Sequence, residues 1–136
     1  MSPKVLFVDD EIAILNGIKL NLGRTFEISL ANGADEALKM MEEDGPFEVI
    51  VSDMRMPGRS GVEVLANAKS MQPDVMTILL TGHADFEFGG SQALSSGQIF
   101  RILSKPCPPD KIKEAISAAI RAKQRKEGND SSGAEA

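Results

Sequence analysis

The feature that most constrains how this chain can fold is a set of short, largely apolar runs, above all Val5-Leu6-Phe7-Val8, Val49-Ile50-Val51 and Val75 to Leu80. Runs this short, apolar without regard to alternation, suit strands buried on both faces, as in a parallel sheet covered by crossover helices. Two more segments read as strands: Phe26, Ile28 and Leu30 alternate with polar residues, and Ile99 to Leu103 forms a further apolar stretch.

Helical spacing fills the intervals. Ile14, Leu15, Ile18 and Leu22 share one face, with Gly23 placed to stop the helix. Ala34, Ala37, Leu38 and Met41 form the next face, with Asn32 as its expected cap and Asp44-Gly45-Pro46 as the turn beyond it. Ser60 and Glu63 have capping-box spacing ahead of Val64, Leu65 and Ala68, and Pro73 breaks that helix. A fourth helix is expected over Phe86, Gly89, Gly90 and Ala93, weakened by about 1 kcal/mol for each glycine. Pro108-Pro109 opens a fifth, with Ile112, Ala115, Ile116 and Ala119 on one face.

The chain therefore reads as five β/α pairs, an α/β fold with an open parallel sheet and helices on both faces. Its 136 residues, 42% of them hydrophobic, suit a single domain over residues 1–122. Residues 123–136 read as a disordered tail, polar and rich in small residues. A formal net charge of -5 argues against nucleic-acid binding by the domain, and the basic run from Arg121 to Lys126 reads as a solvated helix end. With only Cys107, no internal disulfide can form. No run approaches membrane-spanning length and no secretory signal is visible, so a cytoplasmic location is expected, away from membranes.

The chemistry lies at the strand ends. Asp9 and Asp10 close the first strand, Asp53 the third, Thr81 the fourth and Lys105 the fifth. In a parallel sheet these ends share one edge, where such folds bind ligands. Three carboxylates there repel one another, and a divalent cation relieves the conflict; oxygen donors with room for water suit Mg²⁺. An ammonium and a hydroxyl beside that cation are what a transferring phosphoryl group needs, and a carboxylate can be the nucleophile.

Phe7-Val8-Asp9-Asp10-Glu11, Ser52-Asp53-Met54-Arg55-Met56-Pro57-Gly58, Leu80-Thr81-Gly82 and Leu103-Ser104-Lys105-Pro106 resemble the successive signatures of the response-regulator receiver (CheY-like) family. The likeness covers about residues 4–122. It implies a flavodoxin-like open sheet in strand order 2-1-3-4-5. It implies Asp53 as phosphoacceptor, Thr81 and Lys105 as phosphoryl-binding groups, and Asp9, Asp10, Asp53 and the Arg55 backbone carbonyl as Mg²⁺ ligands. It also implies a cis peptide before Pro106. The expected partners are a sensor histidine kinase or phosphotransfer protein, and a downstream protein or effector domain absent from this chain. A signalling receiver that catalyses only its own phosphorylation and dephosphorylation is not an enzyme in the usual sense.

The sequence departs from the family pattern in places. The aromatic switch position on the fifth strand holds Ile102, with Phe100 two residues earlier and expected on the same face. Arg55 and His83, each two residues beyond Asp53 and Thr81, stand where side chains tune the lifetime of the phosphorylated state. The run from Gln98 to Cys107 resembles receivers fused to HD-type phosphodiesterase domains. Phe86, Phe88, Gly89 and Gly90 place a weak helix in the family's output surface, made by the fourth helix, fifth strand and fifth helix, through which a homodimer is the family-level expectation. The alternative is a phosphorylation-independent pseudo-receiver acting as an interaction or dimerisation module. Loss of Asp53, Lys105 or Asp10 would favour it, and all three are present. The absence of Trp and Tyr argues against a flavin-binding electron carrier, and Arg55 stands where an aspartyl-nucleophile phosphatase would carry a second Asp.

Overall fold

The apolar runs become the strands of one sheet. The computed structural model describes residues 3–82 and 99–135, with side chains as far as Arg125. Its elements are β1 (Lys4–Asp9), α1 (Ile12–Leu22), β2 (Glu27–Asn32), α2 (Ala34–Glu43), β3 (Val49–Asp53), α3 (Gly61–Met71), β4 (Met76–Thr81), β5 (Arg101–Ser104) and α4 (Pro109–Glu135). The last of these is the fifth helix expected from the sequence. The expected fourth helix, with Phe86, Phe88, Gly89, Gly90 and Ala93, and His83 before it, lie outside the described residues.

The five strands pair in the order β2-β1-β3-β4-β5, parallel throughout. This is the open flavodoxin-like sheet. Alternation along each strand divides the core into two layers. Val5, Phe7, Val49, Val51, Ile78 and Leu80 face Leu15, Ile18 and Leu22 of α1 and Ile112, Ala115, Ile116 and Ala119 of α4. Leu6, Val8, Ile50 and Leu79 face Ala34, Ala37 and Met41 of α2 and Val64, Leu65 and Ala68 of α3. β1 and β3 carry no exposed side chain, so their apolar runs reflect burial on both faces. Each fully buried aliphatic side chain, such as Ile116 or Leu65, contributes about 1.5–3 kcal/mol relative to exposure.

Ser60 is the N-cap of α3, and its hydroxyl accepts the Glu63 N–H at 3.3 Å. Asn32 does not cap α2. It is the last residue of β2, and Gly33 holds the cap position at φ 108° with no side-chain bond. Pairing with β1 through Asp9 keeps Asn32 extended, and the sharp turn into α2 falls on the residue that tolerates positive φ.

The last helix also runs further than the sequence reading. α4 continues through residues 123–135, where composition alone suggests a disordered tail. Ala122, Lys123, Gln124 and Arg125 are strong helix formers and extend the helix past its buried face. The last buried side chain among the described residues of α4 is Ile120, with Ala122 and Lys123 half-buried beyond it. Among the described residues no helix is long and apolar enough to cross a membrane.

Candidate functional site

Because all strands run the same way, their carboxyl ends line one edge of the sheet. Asp9 ends β1, Asp53 ends β3, Thr81 ends β4, and Lys105 follows the last residue of β5. Register holds these ends level: Asp53 lies beside Leu80, and Thr81 beside Ser104. Two backbone bonds extend the pairing past the strand ends, Met54 N–H to the Leu80 carbonyl at 2.8 Å and Lys105 N–H to the Thr81 carbonyl at 2.9 Å.

Asp9 is fully buried. Its Oδ1 accepts the Glu11 backbone N–H at 2.9 Å, whereas its Oδ2 has no hydrogen-bond partner. The nearest cation to that oxygen is Lys105 Nζ, 3.9 Å away and beyond hydrogen-bond reach. Burial pushes the Asp9 carboxyl up to about 6, and the charges of Asp53 and Asp10 add to the rise. The Glu11 N–H and the Lys105 ammonium oppose it without cancelling it.

Asp53 is 5% exposed, and its Oδ1 lies 2.7 Å from Lys105 Nζ. Burial pulls the Lys105 ammonium down, but its hydrogen bond and charge attraction to Asp53 outweigh that and leave it above the ordinary lysine value. Thr81 is buried, and its hydroxyl donates to the Gly82 carbonyl at 3.0 Å. Ser52 donates to the Asp53 backbone carbonyl at 3.0 Å.

Asp9, Asp10 and Asp53 can each present a carboxylate oxygen with all three oxygens within 4.8 Å of one another. The donor set fits a hard divalent cation. It is all oxygen and carries more negative charge than Lys105 offsets, and it includes the partnerless Asp9 Oδ2. Asp10 is exposed and opens onto a depression lined also by Met54, Arg55 and Arg59. Arg55 is exposed at this rim, while His83 lies outside the described residues.

The residues expected to act as a switch sit differently from the sequence reading. Ile102 packs against the layer of α2 and α3, and Phe100 against the layer of α1 and α4. They therefore lie on opposite faces. The period-two rule applies only within an extended strand, and Phe100 is in a bend just before β5 begins at Arg101. The Arg101 guanidinium stands over the Phe100 ring at 5.3 Å from its centroid. The Lys105–Pro106 peptide is cis.

One residue at this edge went unweighed in the sequence. Gly61 opens α3, is buried, and donates its N–H to the Met54 carbonyl at 2.7 Å. The available signal was a glycine at the first helical position, eight residues after Asp53, where a helix former is favoured.

Residues 5–117 match the response regulator receiver domain. This chain belongs to that family. A curated relative, the hydrogenase transcriptional regulatory protein HoxA of Cupriavidus necator, is 31% identical over 87% of this receiver chain and 24% of its own length. The receiver thus spans about a quarter of that relative. A crystal structure titled adenylate cyclase from Rhodopirellula baltica is 35% identical, with a TM-score of 0.91 and full coverage of both chains. The signal receiver domain of an HD domain-containing protein from Pseudomonas fluorescens Pf-5 is 26% identical, with a TM-score of 0.82 over 93% of each chain. The chain is a response-regulator receiver domain of two-component systems, with the acidic cluster and lysine at the carboxyl edge of its sheet.

Proposed function

We propose that this receiver accepts a phosphoryl group on Asp53 from a histidine kinase or phosphotransfer partner and signals through the change in shape that follows. The observation that carries the reading is the Asp53–Lys105 pair at 2.7 Å, set beside the partnerless buried oxygen of Asp9.

In the reaction an Asp53 carboxylate oxygen attacks phosphorus. The bond from phosphorus to the donor's histidine nitrogen breaks, and the electron pair leaves with the imidazole. Lys105 releases part of its hold on the carboxylate and pairs with the phosphoryl oxygens. Thr81 turns its hydroxyl from the Gly82 carbonyl toward the same group. Asp9, Asp10, Asp53 and the Arg55 backbone carbonyl would hold Mg²⁺, which when bound neutralises charge on the phosphoryl oxygens. Arg55 and His83 tune how long the aspartyl-phosphate survives hydrolysis. The domain catalyses only its own phosphorylation and dephosphorylation.

The output surface comprises the expected fourth helix, β5 and α4, with Ile102 and Phe100 on its two sides. Residues 1–122 form the working domain, supported by the buried face of α4 from Ile112 to Ile120. The output is a downstream protein or an effector domain outside this chain, and the likeness to the receiver of an HD domain-containing protein favours an HD-type effector.

Intact mass after incubation with Mg²⁺ and acetyl phosphate tests the reading. The native protein gains one phosphoryl group and Asp53→Ala gains none. A folded native protein that gains none with acetyl phosphate or with phosphohistidine donors would instead be a pseudo-receiver.

A further inference from the structure

The first residue of α3 meets the backbone of Asp53 directly. A Cβ on Gly61 would stand inside van der Waals contact of the Asp53 carbonyl oxygen, 2.9 Å from its carbonyl carbon and 2.8 Å from Leu79 Cδ1. Side chains essentially never approach a backbone carbonyl this closely, so either α3 or the end of β3 would have to move. Gly61 is also tied to the residue after the phosphoacceptor by its N–H bond to the Met54 carbonyl, at 2.7 Å. The helix start is therefore seated flush on the peptide that carries Asp53.

The other glycine of this loop makes the contrast. Gly58 has φ +84° and nothing within 4 Å of a built Cβ, so the backbone turn requires it. Gly61 has no positive φ and is required by space alone. The end of β3 is held by β1 on one side and β4 on the other, and the Asp53 carboxylate reaches Lys105 at 2.7 Å within that frame. A displacement of its backbone to make room for a Cβ is passed to the Asp53–Lys105 charge pair and to the acidic cluster. Catalytic groups held loosely by about 1 Å lose activity by orders of magnitude.

We infer that Gly61 is a positioning residue for the phosphoacceptor: its missing side chain lets α3 seat against the Asp53 carbonyl and so sets where the Asp53 carboxylate stands relative to Lys105, Asp9 and Asp10. The inference rests on the proposed phosphorylation at Asp53, but its geometric content can be read without it.

The test compares Gly61→Ala with Val64→Ala. Val64 is a fully buried residue of the same helix, so its truncation weakens α3 packing without adding an atom against the Asp53 carbonyl. Urea unfolding gives the stability loss of each. Phosphorylation by acetyl phosphate at saturating Mg²⁺ is followed by intact mass, and Mg²⁺ affinity by calorimetry. Gly61→Ala is expected to slow phosphorylation by tenfold or more and to weaken Mg²⁺ binding several-fold. Val64→Ala should stay within twofold on both at comparable or greater stability loss. Equal slowing in both variants would make Gly61 merely structural, and native behaviour of Gly61→Ala would overturn the inference. Should the native protein take no phosphoryl group, the proposed function fails. Crystal structures of native protein and Gly61→Ala then decide the positioning role by whether the Asp53–Lys105 separation departs from 2.7 Å. An unchanged separation refutes it, and a Gly61→Ala chain that cannot fold makes Gly61 structural rather than positioning.

Discussion

Replacing Asp9 by Asn should stabilise the metal-free protein near neutral pH, though it removes a site residue. The magnitude follows from the buried carboxyl. Asp9 has no exposed surface and ionises near pH 6 in the folded state, against an ordinary value of 3.8. The rise of roughly two pH units means that the folded state holds this proton more tightly than the unfolded chain. Stability from this group is thus present below about pH 4 and is lost as pH rises toward and past 6. At pH 7 the cost of keeping Asp9 charged is on the order of 3 kcal/mol, at 1.36 kcal/mol per unit. Asn keeps an oxygen to accept the Glu11 N–H, but it places an amide where Oδ2 finds no hydrogen-bond partner; the attraction to Lys105 is already contained in the cost. A net gain of about 1–3 kcal/mol is therefore expected at pH 7, shrinking toward zero at pH 4. Urea unfolding in EDTA across pH 4 to 8 measures it. The same titration with millimolar Mg²⁺ should stabilise the native protein and leave Asp9→Asn nearly unmoved, since a ligand of the folded state stabilises in proportion to its affinity. An Asp9→Asn variant equally or less stable than native at pH 7, with no trend toward pH 4, would refute the account of a buried carboxylate that its neighbours compensate only in part.

Lys105→Met leaves the Asp53 carboxylate buried without its 2.7 Å partner, and because Lys105 is itself 29% exposed the loss is discounted to about 1–3 kcal/mol in urea unfolding. Unchanged stability in Lys105→Met would mean that the pair is open to water. Ser60→Ala removes the acceptor for the Glu63 N–H, and the long, exposed bond places the cost at about 0.5–1 kcal/mol, read as a shift in urea midpoint at constant slope.

Much of this protein was legible in the residues themselves. The apolar runs of β1, β3 and β4 suit strands buried on both faces, and such strands suit a covered parallel sheet. A parallel sheet in turn gathers Asp9, Asp53, Thr81 and Lys105 at one edge whatever the details of packing. That chain of reasoning uses periodicity and parallel strand direction; the strand order 2-1-3-4-5 and the roles of these residues came with the resemblance to the receiver family. Local sequence failed where a neighbour decides conformation. Asn32 is held in β2 by pairing with β1, so the cap falls to Gly33. Phe100 turns to the opposite face from Ile102 because it sits in a bend ahead of β5, although its N–H still bonds the Thr77 carbonyl of β4 at 2.8 Å. Helix propensity accounts for the continuation of α4 through Ala122, Lys123, Gln124 and Arg125, but not for its run to Glu135 through Gly128, Asn129, Asp130 and Gly133.

The sequence by itself determined the sheet, its strand ends and the residue types that meet there, because alternation and chemistry are properties of the chain. Only the tertiary structure decided the state of those groups: that Asp9 is buried with one oxygen unpartnered, that Lys105 sits on Asp53, and that Gly61 leaves no room above the Asp53 carbonyl. Desolvation, partner distance and close contact arise between segments far apart in sequence, and no local pattern contains them.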